Sequence, residues 1–96
     1  MIIYVAHCYD GKQDNLERAK QITHDLQVKD TENCYICPAL AFAHIGKDLS
    51  DKDKTALKLD LLTVCDSVLI ASRFCDDIKP EIEFAEVIGM EVKVYE

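Results

Sequence analysis

The sequence predicts an α/β protein built on a parallel sheet of about four strands with helices on both faces. Short apolar runs rich in β-branched residues alternate with stretches whose apolar positions recur at helical spacing. The runs are apolar throughout, as strands are when both faces of their sheet are covered. With 96 residues, three Gly and two Pro, the chain has room for one domain, residues 1–96, and for no linker, repeat or low-complexity tract.

Ile2-Ile3-Tyr4-Val5-Ala6 is the first strand, leaving into a loop at His7-Cys8-Tyr9-Asp10-Gly11. A helix follows, capped by Asp14 or Asn15, with Leu16, Ala19, Ile22 and Leu26 on one face. Cys34-Tyr35-Ile36-Cys37 is a second short strand, closed by Pro38. From Ala39 to Leu49 the pattern supports no more than one helical turn. Ser50 and Asp53 have the spacing of a capping box, and Leu57, Leu61 and Val64 form the apolar stripe of the helix behind it. Ser67-Val68-Leu69-Ile70-Ala71 is a third strand. Pro80 suits the first turn of a last helix and Gly89 its stop, before a final strand Val92-Lys93-Val94-Tyr95. Right-handed crossovers between such strands give a small three-layer Rossmann-like or flavodoxin-like fold. Ligands in such folds bind beyond the carboxyl ends of the strands, which directs attention to residues 7–13, 38–49 and 72–80.

Composition removes several classes of function. Eleven Lys and Arg against 18 Asp and Glu leave a formal charge of −7 with no basic run, which excludes a nucleic-acid polymer as partner. No apolar stretch approaches the roughly 18–20 residues of a membrane span. The opening MIIYVAHCYDG lacks the charged and apolar regions of a signal peptide. Five cysteines, an odd number, then argue for thiols in a reducing cytoplasm rather than a disulfide scaffold. So short a chain leaves apolar surface near its edges, which favours a homo-oligomer, a dimer or larger.

The most informative segment is Lys79-Pro80-Glu81-Ile82-Glu83-Phe84-Ala85-Glu86-Val87-Ile88-Gly89. At about 100° per residue, Glu81 falls in the middle of the apolar stripe formed by Ile82, Phe84, Ala85 and Ile88, while Glu83 and Glu86 fall on the water side. A first-turn acid gains from the positive end of the helix dipole, so Glu81 is either a surface carboxylate leaning out of the helix end or one held at the floor of a ligand crevice.

Glu81, Ala85 and Gly89, spaced E-x-x-x-A-x-x-x-G before a closing strand, carry a family resemblance. With Ile3-Tyr4-Val5-Ala6, Tyr9, Asn15, Arg18-Ala19, and Leu61-Leu62 through Cys65-Asp66, the chain resembles the nucleoside 2-deoxyribosyltransferase-like family, chiefly its small phage- and bacteria-type members of unassigned function. The resemblance implies that Glu81 is a nucleophile toward the anomeric carbon of a nucleoside or nucleotide, forming a covalent glycosyl-enzyme. Tyr9 then matches an aromatic residue near the nucleophile, and Asp76 or Asp77 supplies the second carboxylate. The chain departs from the family where Cys75 and Asp77 replace a small or acidic residue and a Gly, where Lys58 replaces an Asp, and where it stops without a C-terminal extension. Those departures favour the alternative, a crevice that retains a nucleotide-like ligand, such as a signalling nucleotide, without chemistry.

The remaining candidates are weaker. His7 leaves the first strand at its carboxyl end and is either a proton donor or a packed strand-end histidine. Cys8 and Cys75 both lie in expected site loops, and Lys79 and Arg73 are the cations nearest the site. His44 and His24 suit the surface. Cys34 and Cys37 bracket a strand with no second pair beside them, which suits buried, inert thiols better than a zinc or redox site. Nothing in the pattern calls for a metal or an organic cofactor.

Overall fold

A computed structural model describes residues 1–95. Strands β1 (Ile2–Ala6), β2 (Cys34–Ile36), β3 (Ser67–Ile70) and β4 (Glu91–Val94) form one parallel sheet in the order β2-β1-β3-β4. Helices α1 (Gln13–Lys29), α2 (Pro38–Ala41), α3 (Asp51–Leu62) and α4 (Lys79–Val87) connect them, with a 3₁₀ turn at Ala43–Ile45. The expected small Rossmann-like or flavodoxin-like α/β architecture is what the chain adopts.

The alternation of β1 divides the core in two. Tyr4, Ala6 and Cys8 point to one face and pack with Leu62 of α3 and Ile82 and Ala85 of α4. Val5 points to the other and packs with Ala19 of α1, Ala39 of α2, Cys37 and Ala71. A strand walled on both sides has no polar face, which is why β1 reads as an unbroken apolar run. The outer strand β4 is different: Glu91, Lys93 and Val94 are exposed, and only Val92 packs against the core.

Three local details differ from expectation, each for a physical reason. Helix α1 begins at Gln13 behind Lys12, which makes no side-chain cap. Asn15 is buried instead, its Nδ2 donating to the Tyr9 carbonyl at 3.0 Å, so it ties the helix to the β1 loop. Pro38 does not merely end β2; at the first position of α2 its fixed φ and missing N–H suit a helix start. In α3 the Ser50 hydroxyl accepts from the Asp53 N–H at 3.1 Å as expected and Leu61 packs against the core, but the inward face is rotated toward Leu62. Leu62 is fully buried whereas Val64, beyond the helix end, is 63 % exposed. Helix α4 stops as expected: Gly89 takes a positive φ of 77°, which glycine adopts without a Cβ clash.

The exposed thiol of Cys34 corrects another expectation; Cys37 and Cys65 are buried, and burial pushes both thiols up. Among the described residues, no helix is long and apolar enough to cross a membrane.

The rotated stripe is testable by urea denaturation. Leu62→Ala is expected to cost about 2–5 kcal/mol. Val64→Ala is expected to cost under about 0.5 kcal/mol. Equal costs would contradict this packing.

Candidate functional site

In the order β2-β1-β3-β4 the chain changes direction at β1, leaving for β2 on one side and for β3 on the other. Crevices form beyond the carboxyl ends of strands at such a reversal. A cavity of about 690 Å³ lies at that end of the sheet. Its walls come from the β1 loop (Tyr9, Asp10, Gly11), from α2 and the turn after it (Pro38, Phe42, Lys47), from α3 (Lys54, Lys58) and from the segment entering α4 (Asp76, Asp77, Pro80). The volume suits a ligand of nucleoside size, and two aromatic rings with several charges line it.

Beneath this cavity is a buried polar cluster. Glu81 is 2 % exposed because its place on α4 faces the sheet. Its Oε1 accepts a 2.5 Å hydrogen bond from the hydroxyl of Tyr4, which is itself wholly buried in the middle of β1. Lys58 Nζ lies 3.9 Å from the same oxygen and 3.6 Å from Asp77 Oδ1. The other oxygen, Oε2, is buried without a hydrogen-bond partner among the described residues. Lys58 and Asp77 belong to the cavity wall and Glu81 does not, so the carboxyl group sits one side chain behind the surface that a ligand would meet.

Burial sets the protonation of this cluster. Removal from water pushes the Glu81 carboxyl above the usual glutamate range; the Lys58 ammonium and the Tyr4 hydrogen bond pull against that, and the charge of Asp77 adds to it. Tyr4 is raised far above the ordinary tyrosine value by burial first and by the neighbouring Glu81 second, so it remains a donor.

Asp77 joins the cluster to the loops. Its Oδ2 accepts from the backbone N–H groups of Tyr9 at 2.9 Å and Asp10 at 3.3 Å, while Oδ1 faces Lys58. Asp10 and Gly11 carry positive φ values of 53° and 68°, an uncommon pair that turns the chain sharply out of β1. The Cys8 N–H donates to Ser72 Oγ at 3.0 Å, and the sulfurs of Cys8 and Cys75 are joined in a disulfide. That bond corrects the expectation of thiols throughout. The loops after β1 and β3 meet because those strands are neighbours, with Ala6 paired to Ile70. Cys34, Cys37 and Cys65 remain free.

The residues singled out in the sequence therefore divide. Tyr9, Asp76 and Asp77 line the cavity, and Glu81 lies directly beneath it. Cys8 and Cys75 do not line it; they hold together the loops that do. His7 is buried, its Nδ1 2.8 Å from the Cys8 carbonyl oxygen, and lies outside the wall. Lys79 projects into water beside Glu83, 3.9 Å away, and is also outside it. Arg73 is exposed, lies 3.9 Å from Asp10, and is outside the wall as well. Among the described residues, no three His, Cys, Asp or Glu side chains converge as metal ligands.

Two members of the cluster escaped the sequence reading. Lys58 sits four residues before Leu62, the most deeply buried residue of α3, and that spacing places it on the inward face. Tyr4 stands in a strand covered on both sides, and a buried tyrosine hydroxyl needs a partner. Comparison of the chain with protein-family models, with curated proteins and with solved structures gives no match.

The raised Glu81 pKa fixes the sign of a pH effect. The native chain holds this proton more tightly than the unfolded chain does. The stabilisation is complete below the ordinary glutamate range and is lost as pH rises through the raised value. Urea midpoints measured across that interval are expected to fall with pH more steeply in the wild type than in Glu81→Gln, and parallel curves would contradict the burial. Tyr4→Phe strands Oε1 and is expected to cost about 1–3 kcal/mol at neutral pH in the same assay.

Proposed function

We propose that the cavity binds a nucleoside or nucleotide and that Glu81 acts as the nucleophile at its N-glycosidic bond. The observation that carries this reading is the Glu81 carboxyl group, with Oε1 fixed by Tyr4 and Oε2 left without a partner beside the cavity wall. A buried oxygen with unspent acceptor capacity is costly, and such cost concentrates where chemistry is done. The resemblance to the nucleoside 2-deoxyribosyltransferase-like family supports the same assignment.

The reaction has a simple balance. A Glu81 oxygen attacks the anomeric carbon, the C–N bond breaks, and its electron pair leaves with the base, which takes a proton. Asp76 is a cavity-wall carboxylate free of the backbone contacts that occupy Asp77, so its oxygens can accept from the sugar hydroxyls, and the departing base takes its proton from water. Asp77 is a positioning residue, because it orients Lys58 and the β1 loop together. Tyr9 and Phe42 offer rings against which a base can stack. Attack requires Lys58 and Asp77 to part, since both stand between Glu81 and the cavity.

That same cover favours a second reading, retention of a nucleotide without chemistry. Burial keeps Glu81 protonated more readily, and a protonated carboxyl group is a poor nucleophile.

Incubation with a panel of ribo- and deoxyribonucleosides and their 5′-monophosphates separates the two. Under the first reading the wild type releases free base, and a 2-fluoro-2-deoxynucleoside analogue leaves a covalent mass increase on Glu81. Glu81→Gln then loses both while still binding the ligand. Under the second, ligand is recovered unchanged and stabilises the fold by about 2.7 kcal/mol at a hundredfold over its Kd. Absence of any thermal shift across the panel would contradict both readings.

A further inference from the structure

We propose that Cys8 and Cys75 form a reversible dithiol–disulfide site, and that its redox state sets how firmly the two loops at the cavity mouth are clamped. The inference is independent of whether Glu81 does chemistry.

The bond spans 67 residues in sequence, yet joins segments that the β1–β3 pairing already holds side by side. Cys8 lies at the edge of one core cluster and Cys75 packs against it, while the other members of both clusters come mainly from the sheet and helices. What the link fixes is the loops. Apart from it, they are joined by the Cys8 N–H to Ser72, by the Tyr9 and Asp10 N–H groups to Asp77, and by the exposed Asp10–Arg73 pair.

Cys8 has a partner in both redox states. Cys8 is buried, and its sulfur lies 3.1 Å from the Arg73 carbonyl oxygen. Once reduced, the Cys8 thiol has an acceptor in place and leaves no orphaned donor. Cys75 is only half-buried, which makes it the partner open to attack. Cys34, Cys37 and Cys65 are free, so Cys8 and Cys75 are the single bridged pair among the described residues. A lone disulfide in a reducing compartment belongs to catalysis or redox sensing rather than to a scaffold.

The co-reactant is a dithiol, small or protein-borne. One of its thiolates attacks the Cys75 sulfur, and the electron pair of the S–S bond passes to Cys8, which takes up a proton. The second thiolate of the dithiol then displaces Cys75 from the mixed disulfide. Two electrons and two protons have moved to the protein, and the dithiol has become a disulfide; oxidised dithiol drives the reverse. Release of Cys75 frees the segment that carries Asp77, two residues on, and Asp77 holds both the β1 loop and Lys58. The dithiol state is therefore the one in which the cavity mouth loosens.

The test uses the whole chain in mixtures of reduced and oxidised dithiothreitol, quenched with N-ethylmaleimide. Peptide mass analysis is expected to show Cys8 and Cys75 gaining label together, with full reversal in oxidised dithiothreitol. Far-UV circular dichroism is expected to stay unchanged throughout. Trypsin cleavage after Arg73 is expected to be about tenfold faster in the reduced protein, because proteolysis follows the population of the open segment. A Cys8→Ser/Cys75→Ser double variant, and Cys75→Ser alone, are expected to cleave at the reduced rate in either buffer. Independent labelling of the two cysteines in oxidised dithiothreitol would overturn the proposal. Loss of the circular dichroism signal on reduction would overturn it too, by making the bond a staple. Equal cleavage at Arg73 in both states would show that the loop ignores the bond.

Discussion

A carboxyl group taken out of water inside a small α/β core constrains everything at the carboxyl end of this sheet. An isolated buried carboxylate costs several kcal/mol, more than half of what many domains of this size have to spare. Here Glu81 is answered by a tyrosine hydroxyl from the strand below and an ammonium from the neighbouring helix. Neither answer is complete, since the ammonium is shared with Asp77 and one oxygen has no partner. The cluster thus couples β1, α3, the segment entering α4 and, through Asp77, the β1 loop. A change in any one member alters the charge that the others face.

The architecture was largely legible in the sequence because backbone pairing and burial leave strong patterns. Four runs became four parallel strands, and of the two positions open to Glu81 on the apolar stripe of α4, leaning out into water or held inside, the structure takes the second. The partners of that group were harder to see. In α3 a stripe through Leu57, Leu61 and Val64 and one through Lys58 and Leu62 differ by a small rotation, and hydrophobicity favours the first because it contains no lysine. The structure centres the inward face on the second and keeps Leu61 packed at its edge, since a lysine buries its stem and delivers its charge to Asp77 and Glu81. Tyr4 was read as part of an apolar run, whereas its hydroxyl is what makes a carboxyl group tolerable beneath it.

Long-range loop encounters were the least legible. Nothing local in the sequence marks Cys8 as the neighbour of Cys75, or Asp77 as the acceptor for the Tyr9 and Asp10 amides. Both follow from the strand order, which places the ends of β1 and β3 side by side. His7 and Lys79 show the converse. Each lies near the right loop in sequence, yet His7 turns into a packed strand end and Lys79 out to water. Loop proximity in sequence is a weak guide to a cavity wall; the direction of each side chain at the strand or helix end decides it.

The burial of Glu81 tests the account most directly, and side-chain carboxyl titration by ¹³C NMR measures it. Glu81 is expected to titrate above the ordinary glutamate range. Its midpoint is expected to climb further in Lys58→Met, which removes the charge that pulls it down. A Glu81 curve that falls within the ordinary glutamate range and ignores Lys58 would show a solvated carboxylate, and the cluster described here would not exist.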